Sequence, residues 1–119
     1  FQMIDDVLDF SGNAAVMGKN LGDDLAEGKP TLPIIKTLEF LEHSNPAMYD
    51  KLRIAVPTGK VDDVQMLIKL VQSSGALDYC KARALEETQK AQQALNNLPN
   101  NRYRQGLRLL TELASARLV

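Results

Sequence analysis

Apolar residues recur along this chain every third or fourth position, and no stretch alternates in the manner of a half-buried strand. Ile4, Val7 and Leu8 keep that spacing, as do Leu38 and Leu41 after Ile34 and Ile35. Val61, Val64, Leu67, Ile68 and Val71 form an amphipathic stripe, with Asp62 or Asp63 placed to cap its start and Gly75 suited to its end. The stretch from Ala76 to about Asn97 is rich in Ala, Glu, Gln and Lys and predicts a longer helix. Pro99, among Asn96, Asn97, Asn100 and Asn101, breaks it. A last helix sets Leu107, Leu110, Leu113 and Ala114 on one side. The predicted class is all-α.

Between the first two helical patterns, "SGNAAVMGKNLGDDLAEGKPTLPII" (residues 11–35) is the least regular stretch and holds four of the seven glycines. A connection this long and this charged is more often functional than not. "HSNP" at 43–46 reads as a tight helix-to-helix turn, with Asn45 as cap and Pro46 at the first helical position. "GK" at 59–60 lacks the remainder of a phosphate loop.

With 119 residues, 45% apolar and 24% charged, the chain is expected to form one ordinary globular helical domain. One cysteine, Cys80, gives no intrachain disulfide, and no apolar run approaches the roughly 20 residues that span a bilayer. A cytoplasmic protein without a membrane segment is expected. The net charge of −1 hides an asymmetry: residues 1–50 hold nine acidic and three basic side chains, residues 51–119 six and eleven. Chance variation between helical surfaces is one reading, and a site for a cation in the first half is the other. Little aromatic interleaving in the basic half argues against nucleic acid.

The acidic excess begins with "FQMIDDVLDF". On a helix Asp5 and Asp9 stack, with Asp6 about 100° round from Asp5. Such crowding costs roughly a few tenths of a kcal/mol per pair, and partial burial adds to it. A solvated acidic face or dipole-favoured aspartates would account for the pattern. The flanking Phe1, Met3, Ile4, Val7, Leu8 and Phe10 favour acids lining a groove at the edge of the core. The order of acids does not fit a calcium loop, and isolated His43 and Cys80 do not fit zinc. Few hard oxygens on a rigid helix suit Mg²⁺, which shares its coordination with phosphates and water. Lys19 and Lys29 in the following loop would contact phosphate oxygens, or else are plain surface lysines.

The stretch "FQMIDDVLDFSGNAAVMGKNLGDDLAEGKPTLPII" resembles the second aspartate-rich motif and following loop of the trans-isoprenyl diphosphate synthases. Its "GKNLGDDLAEGKPTLP" is similar to the form carried by long-chain members, of the octaprenyl type above all. "SSGALDYCKARALEETQKAQQAL" and the residues after it continue the resemblance more loosely. The resemblance implies the C-terminal helices of the isoprenoid synthase fold and a Mg²⁺-dependent prenyltransferase. Such an enzyme joins isopentenyl diphosphate to an allylic diphosphate, such as farnesyl diphosphate, and its long-chain products serve as quinone side chains. By the match, Asp5 is the direct metal ligand, while Asp6 and Asp9 act through metal-bound water or by orienting neighbours. Lys19 and Lys29 contact the diphosphate, Asp24 holds the loop, and Gln2 lies beside the reacting allylic carbon. The first aspartate-rich motif and the isopentenyl diphosphate residues are missing. The chain is therefore expected to be a fragment, inactive alone, whose uncovered apolar surface favours a homodimer or other oligomer. A terpene cyclase of the same fold is disfavoured by the DDxxD form, and a non-catalytic helical subunit is the other alternative.

Overall fold

The computed structural model describes residues 1–11 and 21–118, and every regular element among them is helical. The order is α1 (Gln2–Ser11), α2 (Asp23–Ala26), α3 (Leu32–Ser44), α4 (Pro46–Ala55), a 3₁₀ turn (Val56–Thr58), α5 (Val64–Ser73), α6 (Ala76–Leu95) and α7 (Arg102–Ala116).

Local chemistry sets most of these boundaries. Asn45 Oδ1 accepts a hydrogen bond from the Met48 amide at 3.3 Å, with Pro46 opening α4, so "HSNP" is the turn its residues predict. Asp63, rather than Asp62, caps α5 by accepting from the Met66 amide at 2.9 Å. Asn101 caps α7 through the amides of Tyr103 and Arg104. Val61 belongs to the predicted stripe but lies before the α5 helix, where it still packs against the core. Within the stretch expected to be irregular, Asp23–Ala26 forms a short helix that buries Leu25.

The main core gathers one face of each of α1 to α6: Val7 and Phe10, Leu25, Ile34, Leu52, Leu67, Val71 and the Cys80 thiol are essentially inaccessible. Burying each large aliphatic or aromatic side chain contributes about 1.5–3 kcal/mol. Polar ties supplement the packing. Gln72 Nε2 donates to the Phe10 carbonyl at 2.8 Å, fixing the end of α1 on α5. Buried Thr37 donates to the Pro33 carbonyl at 2.8 Å.

Gly28 meets Gly59 across the molecule. A Cβ on Gly28 would stand 2.7 Å from the Pro57 carbonyl oxygen, and one on Gly59 2.6 Å from that of Ala26. Two turns thus lie backbone on backbone, which fastens the segment before Lys29 to the 3₁₀ turn.

The last two helices form an antiparallel hairpin. Three side-chain pairs keep it in register: Arg108 Nη2 on Asn96 Oδ1 at 3.0 Å, Gln92 Nε2 on Thr111 Oγ1 at 2.9 Å, and Ser115 Oγ on Thr88 Oγ1 at 3.1 Å. A small cluster of Ile4, Ala84 and Ala114 joins it to α1. Leu107, Leu110 and Leu113 lie on one side as their spacing predicts, yet all three are largely exposed. The radius of gyration, 16.8 Å, exceeds the roughly 13.5 Å expected of a compact chain of this length.

Candidate functional site

Helix α1 rolls its Ile4–Val7–Phe10 edge into the core, and this roll decides where each carboxylate goes. Asp5 points outward and stays half exposed, Asp6 faces a groove, and Asp9 is only 2% exposed. Stacking by sequence spacing therefore does not bring the three carboxylates to one point. Among the described residues no three acidic, histidine or cysteine side chains converge as a metal cage.

Asp9 organises the loop. Its Oδ2 accepts from the Asp24 amide at 3.4 Å, and its backbone carbonyl accepts from the Gly22 amide at 3.0 Å. Asp24 Oδ1 in turn lies 3.5 Å from Lys29 Nζ, and Glu27 Oε2 is closer to that ammonium at 2.7 Å. The hydrogen bond and charge of Glu27, followed by Asp24, raise the Lys29 pKa, so it stays cationic. Asp9, Asp24 and Lys29 thus form one chain of contacts at the start of α2 and after it. Lys19 lies outside the described residues.

Asp6 and Gln2 instead line a groove of about 680 Å³ between the start of α1 and the α6–α7 hairpin. Its walls are mainly apolar, with Phe1, Ile4, Leu32, Ala91, Leu107 and Leu110, and with Glu87, Thr88 and Thr111 as polar points. The field of Asp6 reaches the buried Cys80. Burial first, and the Asp6 charge second, push that thiol up to about 11.

Asp5 is held from the other end of the chain. Arg117, just past α7, donates from Nη2 to Asp5 Oδ1 at 2.5 Å. Nothing local in the sequence marks Arg117, because the contact spans 112 positions. Glu27, by contrast, carries a legible signal in its place two residues before Lys29.

A sequence model of the polyprenyl synthetase family matches residues 1–71, which include all of these residues except Arg117, Cys80 and the hairpin. The chain belongs to that family. It is 48% identical over 118 residues to the all-trans-nonaprenyl-diphosphate synthase (geranyl-diphosphate specific) of Rhodobacter capsulatus, covering 99% of this chain and 35% of that protein. It is 43% identical over 115 residues to the octaprenyl diphosphate synthase of Haemophilus influenzae, covering 96% and 34%. The crystal structure of a polyprenyl synthase from Caulobacter crescentus, complexed with calcium and isoprenyl diphosphate, superposes with a TM-score of 0.80 at 33% identity. That match covers 99% of this chain and 36% of that one. The helices are therefore those of the isoprenoid synthase fold, and the chain spans about a third of the length of the relatives it matches.

The donor set can be tested against the divalent cation that the family implies. Asp5 and Asp6 offer hard oxygens that diverge, one outward and one into the groove, and the Asp5 carboxylate already accepts a cationic group, the Arg117 guanidinium. Asp9 is turned to the backbone of α2. Such a set fits an ion that takes one or two protein carboxylates and fills its shell with water and phosphate oxygens.

Proposed function

We propose that residues 1–119 supply the second aspartate-rich half of a long-chain prenyl diphosphate synthase active site. The reaction is condensation of isopentenyl diphosphate with an allylic diphosphate such as farnesyl diphosphate, giving an octaprenyl-type product used for quinone side chains, and the place of action is the cytoplasm. The observation that carries this reading is the superposition of nearly the whole chain on a polyprenyl synthase that binds calcium and isoprenyl diphosphate, with Asp5, Asp6 and Asp9 spaced as DDxxD on α1.

Asp5, and Asp6 through metal-bound water, would hold Mg²⁺, which would supply Lewis-acid stabilisation to the departing pyrophosphate. The chain's own residues do the rest. Lys29, and Lys19 by the resemblance, would bring positive charge to the diphosphate oxygens, where negative charge grows as the carbon–oxygen bond breaks. Glu27 and Asp24 hold the Lys29 ammonium in place, and Asp9 holds Asp24. Gln2 lines the groove side of α1 and would stand beside the allylic carbon. Apolar walls keep water from the allylic cation.

The site is completed by a first aspartate-rich helix, so the 119-residue chain by itself is inactive. The test is a chimera in which residues 1–119 replace the matching segment of the Haemophilus influenzae octaprenyl diphosphate synthase. The chimera should elongate farnesyl diphosphate with labelled isopentenyl diphosphate, lose at least about a hundredfold in rate with Asp5→Ala, and outperform the isolated chain, which makes no product. A folded but inactive chimera would refute the reading. A second reading is favoured by one relative named heptaprenyl diphosphate synthase component 2, from Bacillus subtilis, 31% identical over 117 residues. Under it, the protein acts with a different subunit instead of as a homodimer.

A further inference from the structure

The contact between Arg117 and Asp5 does not serve the packing of either element. The fold of α1 is secured by Ile4, Val7 and Phe10, which are buried, whereas Asp5 is exposed at 53% and Arg117 at 42%. What the packing does fix is the position of the arginine. Ala114 is buried three residues before it, and Leu118 packs immediately after it on the cluster formed with Ile4, Met3 and Leu8. The backbone of residues 114–118 is thus docked so that one guanidinium nitrogen reaches Oδ1 of the carboxylate nearest the start of the DDxxD run.

We propose that Arg117 is a clamp on Asp5 that a divalent cation displaces. The proposal rests on the reading of Asp5 as a metal-holding carboxylate. Oδ1 cannot serve the guanidinium and a dication together. A cation on the remaining oxygen would sit within a few ångströms of the arginine charge and be repelled. Loading the site therefore frees the Arg117 side chain while Ala114 and Leu118 keep the backbone docked, so the guanidinium at the end of the hairpin reports on the occupancy of a site on the first helix. By linkage, the clamp weakens cation binding by the same factor by which the cation weakens the clamp. For an ion pair this exposed, the factor is about 1.5- to 5-fold, largest at low ionic strength.

The test uses the 119-residue protein and inorganic pyrophosphate titrated calorimetrically in excess Mg²⁺. Arg117→Gln should bind about 1.5- to 5-fold more tightly than wild type at low salt, and the gap should close at high salt. Arg117→Lys, which keeps the charge, should stay near wild type. A residue with a merely structural role would instead weaken binding on truncation and leave the salt dependence alone. NMR of the Arg117 guanidinium adds a readout on the unaltered protein: its Nε–H signal should shift and lose order when Mg²⁺ and pyrophosphate are added, and Asp5→Asn should abolish the change. If Asp5→Asn destroys binding while Arg117→Gln binds no better than wild type, the clamp is overturned and the metal reading stands. Absence of any binding in wild type and variants alike overturns both.

Discussion

Replacing Gly28 with alanine gives the sharpest test of how the loop behind Lys29 is built. Gly28 has φ +73°, and its new methyl carbon would lie 2.7 Å from the Pro57 carbonyl oxygen and 3.3 Å from the Gly59 nitrogen. Both neighbours are backbone, so relief requires moving a chain segment and not turning a side chain. The left-handed conformation alone costs about 1–2 kcal/mol for a residue with a Cβ. Overpacking adds about 1–3 kcal/mol, and the stiffer unfolded chain offsets about 0.4–1 kcal/mol. The net loss is about 1–4.6 kcal/mol, or a fall in Tm of roughly 4–18 °C at roughly 4 °C per kcal/mol for a domain near this size. Thermal unfolding followed by circular dichroism measures it. Gly75→Ala is the matched control, because Gly75 shares the backbone conformation (φ +85°) but a Cβ there meets nothing within 4 Å. If Gly28→Ala loses no more stability than Gly75→Ala, the backbone-on-backbone contact is not what fastens this loop.

The buried Cys80 thiol, raised to about 11 from 9.0, makes stability fall as pH climbs between those values. The sign follows from proton counting: in that range the unfolded thiol has lost its proton while the folded one keeps it, so alkali favours unfolding. Cys80→Ser should flatten this limb of a urea-denaturation series against pH, and an unchanged slope would contradict the assignment. The exposed leucines of α7 should drive self-association, so Leu110→Glu should lower the mass seen by multi-angle light scattering. A wild-type chain that runs as a monodisperse monomer would count against that.

The helices were legible because their stripes are local. Val64, Leu67, Ile68 and Val71 announce a face, and Asp63 and Asn45 announce where helices start. Periodicity says that a face exists, however, and not what covers it. The Leu107–Leu110–Leu113 row has the same spacing as the α5 stripe, yet one is buried and the other open. The aspartates show the same divide. Their spacing marks the motif, but their divergence depends on how α1 rolls when Gln72 seizes the Phe10 carbonyl and Ile4 docks on the hairpin. Those are contacts across 62 residues and more. Arg117 is the extreme case, since a single arginine near a helix end carries no local sign of a partner on α1.

The three polar rungs between α6 and α7 have a mechanical consequence. Sliding one helix along the other by a turn breaks all three at once, at about 0.5–1.5 kcal/mol each, so the pair resists shear. Splaying is different. Opening about the 96–101 connection breaks them in sequence, beginning with Thr88–Ser115, the rung next to Arg117. The hairpin is thus stiff lengthwise and compliant across, like tweezers. Because Leu107 and Leu110 of α7 line the groove opposite Gln2 and Asp6, splaying would widen it against the Ile4–Ala84–Ala114 cluster that ties the hairpin to α1.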